Sequence, residues 1–214
     1  MLNIKKFVFS AFAENTYVLW DDVSNETAII DPGCNDKNEE DILSNYIEEN
    51  NLSVKYILIT HCHIDHIFGN KFVKEKYNCP LLVPEKDEYL MDLMIDVAKG
   101  YGVNFTASPK ADGYLSENEI LKLGDEEIKI LSTPGHSPGE VCLYSEKNKI
   151  CITGDVLFKE SIGRTDLWEG NLDTLIESIK TKLLTLPGDT KIYPGHGEAS
   201  TIEMEILNNP FLKR

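Results

Sequence analysis

The chain has 214 residues, enough for one domain and too few for two full catalytic domains, and its 42% apolar and 9% aromatic content excludes general disorder. Lys plus Arg number 21 against 36 Asp plus Glu, so the net charge is −15 and nucleic-acid binding through a general basic face is disfavoured. No apolar run reaches the ~20 residues that a bilayer crossing needs, and Met1-Leu-Asn-Ile-Lys-Lys-Phe7 lacks the apolar core of a signal peptide, which points to a cytoplasmic protein without membrane or nucleic-acid partners.

The first third reads as strands at residues 5–10, 16–20 and 27–30, separated by short polar turns as in an antiparallel meander. Asp31-Pro32-Gly33 ends the third. Residues 38–50 read as a helix with Ile42, Leu43, Tyr46 and Ile47 on one face. A buried-type strand, 54–60, stops at His61. A helix over 67–77, a strand over 81–83 and a helix over 85–99 follow, the last with Leu90, Leu93, Met94 and Val97 at helical spacing. Strands are expected near 119–123, 127–132, 140–145 and 149–153. A final helix begins at Asn171, a good N-cap residue, and carries Leu172, Leu175, Ile176, Ile179 and Leu183. A last strand, 191–193, ends at Pro194-Gly195-His196. Strands thus come in two groups, each followed by helices, a pattern satisfied by two packed sheets with helices outside. The polar clusters 31–33, 60–66, 133–139, 153–155 and 194–197 all follow strands, so loops at one edge of such a sandwich can build a single site.

All five histidines fall in those clusters. His61-Cys62-His63-Ile64-Asp65-His66 packs four ligand-type side chains into a short span. In an extended loop His61 and His63 point the same way and can share one metal. Asp65 and His66 lie past a bend and can serve a second. Imidazole with carboxylate suits zinc, and also iron or manganese. His136 and His196 each follow Pro-Gly, which fixes a sharp turn and presents one imidazole rigidly. Asp155 follows a strand end, where a carboxylate can bridge two cations. Cys62 points away from His61 and His63 by alternation and reads as a buried structural thiol. Five widely spaced cysteines without an export signal read as reduced thiols, and Cys34, Cys79, Cys142 and Cys151 take no role.

The run His61-Cys-His-Ile-Asp-His66, with Asp31, His136, Asp155 and His196 in that order, resembles the metallo-β-lactamase-fold hydrolases over nearly the whole chain. The resemblance implies an α/β (by some schemes α+β) αββα four-layer sandwich, spanning 1–214 as a single domain without a C-terminal helical domain. It implies two metal ions, most simply Zn2+, with Fe or Mn as alternatives. His61, His63 and His136 would bind one, Asp65, His66 and His196 the other, and Asp155 would bridge them. Asp65 and Asp155 would then take part in catalysis. Asp31 matches an early acidic residue that props the ligand loop without being a ligand.

Thr153-Gly-Asp-Val-Leu-Phe158, Ser161-Ile-Gly-Arg-Thr-Asp166 and Asn209-Pro-Phe-Leu212 resemble the short bacterial type of glyoxalase II, the hydroxyacylglutathione hydrolases. That resemblance implies hydrolysis of a thioester of the S-lactoylglutathione kind by water acidified between the metals, with Arg164 near the substrate's anionic end. The partner would be a small anionic thioester, and the protein a monomer or small homo-oligomer. Two alternatives share the motifs. One is a persulfide dioxygenase using one iron, which tends to carry Cys where this chain has Ile162. The other is a hydrolase of the same fold acting on another ester, lactone or thioester. A purely structural metal is a third reading, though structural zinc sites are closed and four-coordinate.

Overall fold

The computed structural model describes residues 1–213. Strands β1 (Leu2–Phe9), β2 (Glu14–Asp21) and β3 (Glu26–Ile30) form the expected antiparallel meander. Helix α1 (Lys37–Glu49) starts at Asp36, whose side chain caps Glu39 N at 2.9 Å. Strand β4 (Ser53–Leu58) pairs parallel to β3, and α2 (Asn70–Tyr77) and β5 (Leu81–Val83) follow. Helix α3 (Glu88–Tyr101) is preceded by a 3-10 turn at 85–87 and ends on Gly102 in the left-handed region. Strand β6 (Gly113–Tyr114) closes a six-stranded sheet in the order β1-β2-β3-β4-β5-β6.

Strands β7 (Ile120–Leu123), β8 (Glu126–Ser132), β9 (Val141–Ser145) and β10 (Ile150–Gly154) begin the second sheet. A small hairpin, β11 (Leu157–Phe158) and β12 (Ser161–Ile162), stands apart from it. Helix α4 (Leu172–Ser178) is capped by the Asn171 side chain, which accepts from Thr174 N at 2.9 Å, and continues in a wider π-type turn over Ile179–Leu183. Strands β13 (Lys191–Pro194) and β14 (Ser200–Thr201) complete the order β14-β13-β10-β9-β8-β7, and α5 (Ile202–Asn208) follows.

Side-chain alternation makes these sheets the middle layers of four. Ala28 and Ile30 of β3, Val141 and Leu143 of β9, and Ile150 and Ile152 of β10 meet in the cluster between the sheets. The intervening residues face the helices. Val18 and Ile29 pack with Leu43, Ile47, Val73, Leu90 and Met94 on one outer face. Cys142, Tyr144 and Cys151 pack with Leu175, Ile179, Leu183 and Ile202 on the other. The arrangement is the αββα sandwich.

Some expectations differ from the structure. Ile42 and Leu172 are exposed, because a helix lying on a sheet buries a stripe narrower than the apolar positions available. Asn171 does not begin the final helix: α5 follows it, nucleated by the Thr201 side chain accepting from Met204 N. The two-residue strands β6, β11, β12 and β14 are too short to show a period in sequence.

Candidate metal centre

The loops after β3, β4, β8, β10 and β13 converge on one edge of the sandwich. After β4 the backbone stays extended through His63, then turns through 3-10 geometry at 64–66. His61 and His63 therefore fall on one side, and Cys62 lies in the core on the helix side, fully buried. All five cysteines are free, buried thiols. His136 leaves a turn in which Gly135 has φ 140°, and a Cβ there would strike the Leu175 backbone. Gly195 lies so close to Asp155 Oδ1 and His66 that a Cβ would strike both. These are the positions where glycine is required for the ligand turns.

His61, His63 and His136 form one group of converging ligand atoms, and Asp65, His66 and His196 another. His61, His66 and Asp155 form a third that links the two. His136 Nε2 lies 2.9 Å from His63 Nδ1 and 3.3 Å from His61 Nε2. Asp65 Oδ2 lies 3.2 Å from His196 Nε2. Asp155 Oδ2 lies 3.6 Å from His136 Nε2 and 3.7 Å from His196 Nε2, while its Oδ1 is 3.5 Å from His66 Nε2. Its carboxylate therefore reaches both groups.

The outward ring nitrogens fix which nitrogens face inward. His136 Nδ1–H donates to the Arg164 carbonyl at 2.7 Å, and His196 Nδ1–H to the Ala13 carbonyl at 3.2 Å. His66 Nδ1–H donates to Asp31 Oδ2 at 3.1 Å. The Thr60 hydroxyl donates to the same Asp31 oxygen at 2.7 Å, so it accepts from His61 Nδ1–H at 3.1 Å. In their neutral forms His61 and His136 then aim Nε2 lone pairs at each other with no proton between them. The His136 Nε2 lone pair can accept from His63 Nδ1–H at 2.9 Å, which leaves the His61 Nε2 lone pair, 3.3 Å from His136 Nε2, with no proton facing it and suited to a cation. His66 Nε2 and Asp155 Oδ1 are also buried without a hydrogen-bond partner. The donor set fits divalent metal ions.

Burial, with the neighbouring imidazoles, holds His61 well below the ordinary histidine range and His63 at about 3, and burial also lowers His136. These rings are neutral, as ligands must be. His66 is opposite: burial pulls it down, but the carboxylates of Asp65, Asp155 and Asp31 outweigh burial and hold it well above. For His196 burial is likewise outweighed, chiefly by Asp65.

Three carboxylates that sequence reasoning missed support the loops. Glu140 is fully buried at the end of the His136 loop, accepts from Asp155 N at 2.7 Å and lies 3.4 Å from His61 Nδ1. Glu14 is fully buried beside Asp31 and His66 and accepts from the Thr16 hydroxyl at 2.8 Å. Asp87 accepts from Cys62 N, the Ser137 hydroxyl and Gly139 N, tying the 61–66 loop to the 136–139 loop. Burial raises all three. The available signal was a Glu entering an otherwise buried strand, at β2 and beside β9; Asp87 in Pro-Glu-Lys-Asp carried none.

Arg164 lines the cavity over the cluster, but its guanidinium is held by Asp166 through two hydrogen bonds of 2.7 Å. Its carbonyl is the part that meets His136.

Residues 10–196 match the metallo-beta-lactamase superfamily. The chain belongs to that family. A relative, hydroxyacylglutathione hydrolase GloC of Haemophilus influenzae, is 39% identical over 99% of this chain and 98% of its own length. Among solved structures of the family, BLEG-1 B3 metallo-beta-lactamase superposes with a TM-score of 0.91 at 34% identity, covering 99% of this chain and all of that one. TTHA1623 in a di-iron-bound form gives 0.87 at 30% identity, covering 97% of this chain and 100% of that one. The chain is a metallo-hydrolase of this superfamily.

Proposed function

We propose that the protein is a dinuclear metallo-hydrolase that cleaves a thioester of the hydroxyacylglutathione kind. The observation that carries this reading is the convergence of His61, His63, Asp65, His66, His136, Asp155 and His196 into linked ligand-type groups, of which His63, Asp65, His136, Asp155 and His196 line one cavity. His61, His63 and His136 would hold one cation, Asp65, His66 and His196 the second, and Asp155, whose carboxylate reaches both groups, would serve either. When bound, two divalent cations acidify a water and polarise a substrate carbonyl. Asp65 and Asp155 line the cavity beside the imidazoles, where their carboxylates would help orient a water held over the cluster. Asp31, Thr60 and the carbonyls of Ala13 and Arg164 keep the imidazoles aimed inward. Arg164 sits at the cavity mouth, where its charge meets an anionic substrate end. The similarity to the Haemophilus hydrolase supports glutathione as the thiol. Zinc is the metal assigned.

A second reading is a persulfide dioxygenase using one iron; the relative in a di-iron-bound form supports iron as the metal and says nothing of the substrate. Thiol release from S-lactoylglutathione by the zinc-loaded protein tests the first. Oxygen uptake with glutathione persulfide by the iron-loaded protein tests the second. Thiol release without oxygen uptake is expected; oxygen uptake alone would replace the hydrolase reading.

A further inference from the structure

The cavity over the cluster measures about 420 Å³. Away from the imidazoles, the carboxylates, Ser161 and Arg164, its lining is apolar or aromatic. Phe12 comes from the β1–β2 turn, Met94, Val97 and Tyr101 from α3, and Leu167 and Trp168 from the segment after β12. Met94, Val97 and Tyr101 are spaced by three and four residues, which places them on one helix face. That stripe runs from a fully buried end at Met94 to a Tyr101 that is 55% exposed at the mouth. Aromatic contacts stiffen it: Phe12 meets Tyr101 edge-on at 5.6 Å between ring centroids, and Trp168 lies 5.6 Å from the His63 ring. Among the described lining residues, Arg164 is the sole charged side chain outside the ligand cluster, and it stands exposed with Asp166.

We propose that this stripe is an acyl subsite, built for an apolar acyl group larger than lactoyl, either branched aliphatic or aromatic. The proposal rests on the thioesterase reading above. The cavity has one polar direction, outward to Arg164, and one apolar direction, inward along α3. A thioester with its carbonyl over the ligand cluster directs the polar thiol to the mouth and leaves the acyl chain against Met94, Val97, Phe12 and Trp168. A short polar acyl group would leave that wall wetted, and each buried methylene added to it gains binding.

Glutathione thioesters carrying acetyl, butanoyl, hexanoyl and phenylacetyl groups test the subsite on the zinc-loaded protein. In parallel, Trp168 fluorescence is followed during titration with acetate and hexanoate, with Trp168→Phe correcting for Trp20. The expected result is a rise in kcat/KM of at least about tenfold from acetyl to hexanoyl or phenylacetyl, with a fluorescence response to hexanoate at concentrations where acetate gives none. Val97→Asp should lower the hexanoyl-to-acetyl ratio about tenfold. Tyr101→Asp, at an exposed position, should lower it in the same direction if the first variant fails to fold. Thioester turnover that is flat or falls with chain length would overturn the subsite and leave the thioesterase reading standing. A hexanoate response with no thioester turned over would uphold the subsite and remove the thioesterase reading. Neither signal would remove both.

Discussion

His66 Nδ1 donates to Asp31 Oδ2 across 3.1 Å, onto the same oxygen that receives the Thr60 hydroxyl. Because Thr60 in turn accepts from His61, one carboxylate orients an imidazole in each ligand group. Asp31 holds φ 48°, an uncommon conformation for a non-glycine residue, maintained by the Thr60 N–H bond of 2.7 Å to its other oxygen. Asp31→Ala should therefore weaken metal affinity by about 10–100-fold, since orienting acceptors behind ligand histidines contribute on that scale. Chelator competition measures it, and circular dichroism should show the fold retained.

Metal binding should release protons. His66 is held well above the ordinary histidine range by the carboxylates around it, and Asp65 and Asp155 raise His196 against burial, so the metal-free protein keeps more protons on these rings than free imidazoles would. A metal must displace those protons from Nε2. Apparent affinity should therefore rise as pH rises from about 6 to 8, and calorimetry in buffers of different ionisation enthalpy should show net proton release. Affinity that falls with pH would mean that these rings are neutral before metal arrives.

Asp87→Ala should destabilise the fold more than a surface change does. It leaves the Cys62 and Gly139 N–H groups and the Ser137 hydroxyl without their acceptor in a buried place. Unsatisfied buried donors cost roughly 1–3 kcal/mol each before relaxation, so a total near 3 kcal/mol is expected. Denaturant unfolding of the metal-free protein reads this directly.

Arg164→Ala should raise KM several-fold and leave kcat nearly unchanged. The guanidinium is exposed and paired with Asp166, while the backbone carbonyl that orients His136 survives the substitution. Steady-state kinetics decide it; a large fall in kcat at constant KM would place the side chain at the reacting atoms.

How far the sequence goes depends on how local each signal is. The sheet strands long enough to alternate were legible, and so were the helices with caps such as Asn171. Strands of two residues were not, because a hydrogen-bonded partner defines them and no period does. The histidines and Asp155 were legible because ligand-type residues gathered at Gly- and Pro-marked strand ends. Glu14, Glu140 and Asp87 were not. Each meets residues that only the fold brings near: Glu14 lies beside Asp31 and His66, Glu140 binds Asp155 N, and Asp87 holds residues 25 and 50 positions away. Arg164 was read for its side chain, and the structure puts its carbonyl to use on His136 as well.

Two metal ions held by the side chains that converge at the sandwich edge are the basis of the proposed chemistry. Anomalous diffraction from crystals of the purified protein, recorded on either side of the metal absorption edges, tests this most directly. Two cations per chain are expected, one among His61, His63 and His136 and one among Asp65, His66 and His196, with Asp155 reaching both. A single cation, or cations bound by other residues, would contradict this.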